Sequence, residues 1–142
     1  MNYPNLLSAT IPNKDIKEII DAINFINNKL PDLVTLDSDE LASLPKTGKS
    51  TINFVLENLN EAEKNATLIP EDVDIDEIKK DVKLIHSIYK ILDPLKKLEK
   101  KLEDSAMLAG AEAYLPSIAI YNAMKADAIR KRHAKDRGKV QA

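Results

Sequence analysis

Apolar residues recur every three or four positions along most of this chain, and the recurrence predicts helices almost from end to end. Ile16, Ile19, Ile20, Ile23, Ile26 and Leu30 form one such stripe, which Pro31 closes. Asn13, directly after Pro12, is placed to cap the free N–H groups; Asp15 and Glu18 suit the positive end, and Lys29 falls in the last turn. Asp37-Ser38-Asp39-Glu40 reads as the capped start of a short helix with Leu41 and Leu44 turned inward. A third helix is expected from Thr47–Ser50 to about Lys64, carrying Ile52, Val55, Leu56 and Leu59 on one face. Leu68 to Asp76, with Pro70 and several acids, reads as a connection into a new helix start.

Leu84, Ile88, Ile91, Leu95, Leu98 and Leu102 then alternate spacings of four and three without losing phase at Pro94. This predicts one long helix kinked at the proline. Beside it runs a second stripe, Ile78, Val82, Ile85, Tyr89 and Leu92, which ends where Lys96, Glu99 and Glu103 take over. A final helix carries Met107, Ala111, Tyr114, Ile118 and Tyr121, and its alanines suit it to the centre of a bundle. Gly110 is a candidate stop for the preceding helix, and Pro116 a bend or first turn. The expected fold is all-α: an antiparallel bundle of about four helices plus a short one, with long kinked helices in the C-terminal half. Residues 1–129 are expected to form a single domain and residues 130–142 a basic C-terminal tail.

Composition supports a globular helical chain. With 142 residues, 44% hydrophobic and 31% charged, it is long enough for a hydrophobic core and too apolar for a disordered segment. The absence of cysteine excludes disulfides, thiolate metal sites and thiol catalysis. The N-terminal residues lack the basic and long apolar regions of a signal peptide, so a cytoplasmic protein is expected. Ser105 to Met124 holds one charge, Glu112, but also Gly110, Pro116, Ser117 and Asn122; a buried central helix explains it better than a membrane span. The net charge of −2 is unevenly placed: residues through Asp104 sum to −6 and the remainder to +4.

Candidate chemistry is sparse. Thr47-Gly48-Lys49-Ser50 echoes the end of a phosphate-binding loop, but Ser43 stands where that motif needs its first glycine, and a helix is expected where it needs a strand. Simple anion contact at that helix start is the remaining functional reading. His86 has Val82 and Lys90 four residues to either side, so no ligand shares its face at that spacing, and His133 lies among cations. Acid pairs such as Glu57 with Glu61, or Asp72 with Asp76, lack the Glu-x-x-His partner of a di-iron bundle. Catalytic, metal and cofactor sites are therefore all expected to be absent. Glu112, flanked by Leu108 and Leu115 on its face, is a candidate for an inter-subunit or ligand hydrogen bond, and Tyr89, Tyr114 and Tyr121 for an aromatic cluster.

Lys29-Leu30-Pro31, Leu44-Pro45-Lys46, Gly48-Lys49-Ser50 and Phe54-Val55, followed by Leu102 to Ser105, Gly110 to Tyr114, Tyr121-Asn122 and Lys125, carry a resemblance. From Lys29 to Ala128 the chain resembles a family of small bacterial helical proteins with no established activity. Pro116 and the basic ending depart from that family's pattern. The resemblance implies a helical fold and brings no established activity with it. The functional expectation is a non-enzymatic interaction or self-assembling scaffold protein, a homo-oligomer or a partner of another protein, with Glu112, Tyr114, Tyr121, Arg130, Lys131, Arg132, Lys135 and Arg137 as interaction residues. Docking of the tail on Glu71 to Glu77 or Asp37 to Glu40 would be weakened by salt. The alternative is nonspecific nucleic-acid binding through the tail, without aromatic residues to stack on bases and against the repulsion of an acidic body.

Overall fold

The computed structural model describes the backbone of residues 5–141 and the side chains of residues 5–139. It is 79% helical with no strand among the described residues, so the all-α expectation holds. Four α-helices follow in order: α1 (Asn13–Asn28), α2 (Ser38–Ser43), α3 (Lys49–Lys64) and α4 (Ile75–Gln141), with a 3-10 turn (Ala66–Leu68) between the last two.

The helix starts are set locally. Asn13 does not cap α1; it is the first helical residue, and the N-cap is Pro12, without a side-chain cap. The fixed φ of Pro12, −59°, leads the chain into the helix, and its carbonyl accepts the Ile16 N–H at 3.0 Å. Lys29 lies just past the last turn, with its ammonium 5.3 Å from the centre of the Phe25 ring. Asp37 caps α2 as expected, accepting the Glu40 N–H at 2.8 Å, and that N–H holds the Asp37 carboxyl below the usual carboxylate range. Asp74 does the same for α4, accepting from the Asp76 and Glu77 N–H groups.

The helix expected to run on through Pro94 does so, and the structure departs from expectation only beyond it. α4 passes through Pro94, Gly110 and Pro116 and continues through the basic residues to Gln141, so no separate final helix begins at Gly110 or Pro116, and residues 130–141 are helical. Each proline deprives one carbonyl, of Lys90 and of Glu112, of its partner N–H. Gly110 does not take the left-handed conformation that ends helices, since no described glycine has positive φ. In a run so rich in Leu, Ala, Lys and Glu, helix propensity on either side carries the ladder across the gaps.

Two compact units share the chain. One comprises Ile11–Pro94 and the other the N-terminal residues to Thr10 together with the chain from Leu95 on. In the unit of residues 11–94, Leu59 is the one described residue that is buried, 8% exposed. It lines an open cavity of about 560 Å³ with Val55, Leu68, Ile69, Val73 and Ile78, where α3, the 3-10 turn and the start of α4 meet. A 2.7 Å ion pair, Lys79 with Glu63, ties α4 to α3 beside it. Leu41 and Leu44, expected inside, are exposed, as is the whole Ile16 to Ile26 stripe of α1. The unit of residues 95–141 is a helix roughly 70 Å long with residues 5–10 against it.

Replacing Leu59 by Ala is expected to cost about 2 kcal/mol in denaturant unfolding, near the low end for a core leucine because the adjoining space is already open. The ion pair lowers the pKa of Glu63, chiefly through the hydrogen bond from Lys79, and raises that of Lys79 through the same bond. Its contribution is therefore present above the ordinary carboxyl range and lost as pH falls through the lowered Glu63 value. At the other end it is lost as pH rises through the raised Lys79 value. Lys79→Met should lower the melting temperature at pH 7, and the difference from the wild type should shrink as pH falls through the lowered Glu63 value.

Candidate interaction surface

Glu112 projects from the middle of α4 into an environment its sequence neighbours do not supply. One carboxylate oxygen accepts the Leu6 N–H at 2.7 Å and the Leu7 N–H at 3.2 Å, and the other accepts the Leu7 N–H at 3.4 Å. With its amide nitrogen turned towards the carboxylate, the Asn5 side chain donates a further bond of 2.9 Å to the second oxygen. Residues 5–7 thus form a strap whose polar groups converge on one acid. Within the strap Leu6 remains 80% exposed and Leu7 is half-buried. Ser105, Glu112 and Pro116, which share one side of the helix by spacing, are half-buried, and Glu112 marks the strap's side.

The rest of this stretch is uncovered. Tyr114 and Tyr121 lie two turns apart on one face and are 65% and 64% exposed, and Met107, Leu115, Ile120 and Met124 stand open around them. Tyr89, also exposed, belongs to the unit of residues 11–94. Among the basic candidates, Lys131 and Arg130 reach back to Asp127 at 3.0 and 3.6 Å. Arg132, Lys135 and Arg137 follow on the same helix, exposed to solvent. The structure therefore brings Glu112, Tyr114 and Tyr121 onto one short length of helix and sets the five cations on the turns after it. His133 is exposed among them.

In the unit of residues 11–94, a second open cavity of about 640 Å³ is lined by Lys49, Ile52, Leu56, His86, Tyr89 and Asp93. It adjoins Gly48, the residue that echoes a phosphate-binding loop. Gly48 has extended backbone, with φ −145°; its N–H donates to Thr51 Oγ1 at 3.3 Å, and a Cβ built there meets nothing within 4 Å. A phosphate-binding loop of that kind follows a strand and opens with a glycine, whereas here the loop follows α2, whose last residue is Ser43. Among the described residues no group of acids and histidines is placed to hold a metal ion, and no helix is long and apolar enough to cross a membrane.

No family model, curated protein or solved structure matches this chain. Its surface must then be read on its own chemistry. Sequence reasoning marked Glu112 because it is the single charge in an apolar run, but did not find its partners. Backbone N–H groups carry no residue signature, and Asn5, Leu6 and Leu7 lie more than 100 positions away. It also missed the Lys79–Glu63 pair, whose members stand in a chain full of both charges.

Glu112→Ala should release the strap. Amide hydrogen exchange at Leu6 and Leu7 is expected to speed up roughly tenfold, with Glu112→Gln, which keeps one acceptor oxygen, in between.

Proposed function

We propose that this chain is a non-enzymatic subunit that assembles with copies of itself into a structural or scaffold complex. One observation carries the reading: most of the large apolar side chains on the helical stripes are exposed, Ile52, Val55, Ile78, Val82, Ile85 and Leu92 are only half-buried, and Leu59 alone among the described residues is buried. A helix as short as the 16-residue α1 is marginal in water without packing, so its five-isoleucine stripe needs a neighbour to cover it. Helices lying side by side in an antiparallel bundle would meet that need, with facing surfaces drawn from different chains. Large exposed apolar surface rimmed by charge is the mark of interaction sites, since free monomers rarely carry it.

Apolar burial, rather than the acid and base contrast along the chain, is the stronger drive in this reading. Exposed ion pairs contribute at most about 1 kcal/mol each and are screened by salt, whereas one fully buried leucine or isoleucine contributes about 1.5–3 kcal/mol. Two of the cations are also occupied by Asp127 of the same chain.

Sedimentation at low and at high ionic strength tests the proposal. The expected result is an oligomer in both, with high salt leaving the association intact. A monomer in both conditions would sink it, and dissociation by salt would return the drive to the charged tail.

A further inference from the structure

The last turns of α4 carry a charge pattern found nowhere else on that helix. From Lys96 to Asp104 the solvated face mixes four lysines with three acids, and Lys100 meets Asp104 at 2.7 Å. From Lys125 to Lys139, seven Lys and Arg stand against two acids, Asp127 and Asp136, over roughly 21 Å of helix. All seven are exposed. Helix stability does not call for them: like charges a turn apart repel, and the macrodipole favours cations only in the last turn, where Lys139 is the basic residue. The excess extends to the unit, which holds eleven Lys and Arg against six Asp and Glu from Leu95 on, whereas residues 11–94 hold ten against seventeen.

Continuity of the helix fixes how these charges are arranged around the axis. Ala134 and Gly138, four apart, share one side and present nothing larger than a methyl group. Arg130 and Arg137, seven apart, run along one flank of that side; Lys131 and Lys135, four apart, run along the other, which Arg132 and Lys139 extend. Asp136 and Ile129 lie on the opposite side. Asp127, seven residues before Ala134, is met by Lys131 at 3.0 Å and Arg130 at 3.6 Å, contacts open to solvent and of the weak class that salt screens.

A rod with small residues on one side and cations along both flanks of it fits between two lines of phosphates. The major groove of B-form DNA, about 12 Å wide, admits one helix of about 10–12 Å diameter. Duplex DNA also carries about one charge per 1.7 Å of axis, so neutralising it releases condensed counterions, a gain that scattered acids on a protein do not offer. Other anionic partners fit less well. Residues 130–139 hold no Phe, Tyr or Trp to stack on unpaired bases and no large apolar side chain to enter a lipid interface, and the A-form major groove is too narrow for side chains to read.

We propose that residues 125–139 of α4 bind duplex DNA along its major groove, with the flanking cations on the phosphates of both strands. Ala134 and Gly138 offer base edges no hydrogen-bonding side chain, so the binding is independent of sequence. It does not depend on the chain assembling with copies of itself.

Fluorescence anisotropy of the full chain with a short labelled DNA duplex tests this. The expected affinity falls on the order of several hundred-fold between about 50 and 200 mM salt, as roughly five phosphate contacts require. Single-stranded DNA of the same sequence, the matching RNA duplex and polyglutamate should each bind at least roughly tenfold more weakly. Ala134→Glu and Ile129→Glu change the net charge equally but on opposite sides of the helix. With circular dichroism showing wild-type helicity in both, Ala134→Glu should weaken duplex binding several-fold more than Ile129→Glu. No duplex binding at the lower salt, or polyglutamate displacing the duplex as well as unlabelled duplex does, would overturn the DNA assignment. Equal effects of the two substitutions, or equal affinity for single strand or RNA duplex, would overturn docking in the groove.

Discussion

A helix with an apolar stripe is stable in water only when the stripe is covered, and this requirement governs the whole molecule. Backbone hydrogen bonds within a helix replace bonds to water and contribute little net, so the free energy that offsets chain ordering has to come from burial. Around Leu59 a few side chains from α3, the 3-10 turn and the start of α4 supply some of it. Elsewhere Ile52, Ile85, Ile88 and Leu92 are half-buried, and the α1 isoleucines, Leu95, Leu98 and Leu102 are exposed.

The titratable groups that line a cavity in the unit of residues 11–94 are exposed as well. The cavities beside Leu59 and beside Gly48 are open, and His86, Lys49 and Asp93, which line the second, stand in solvent. The shifted pKa values belong to a helix cap and a surface ion pair, both accounted for by local structure.

Glu112 shows how one residue serves both needs. On an apolar helix it is a defect, and as an acceptor for the N–H groups of residues 6 and 7 it becomes an anchor. The anchored segment is extended and has no backbone partners of its own in a sheet or helix, so the carboxylate supplies what secondary structure does not. The Glu112 carboxylate thus links two segments more than 100 residues apart in the chain.

Helix type and placement were legible in the residues, because the three-and-four spacing of Ile16 to Ile26, Ile52 to Leu59 and Leu84 to Leu102 is a local property of the chain. Boundaries marked by strong local signals, such as Asp37 before α2 and Pro31 after α1, were legible for the same reason. Continuity through Pro94 was legible in the unbroken phase of the stripe, whereas Gly110 and Pro116 misled, since each weakens a helix by a finite amount that good helix-forming neighbours outweigh. Only the tertiary structure decided that Leu41 and Leu44 face water, that Lys79 meets Glu63, and that Glu112 holds the strap. Such contacts depend on where distant segments meet in space, and spacing along a chain carries no information about that.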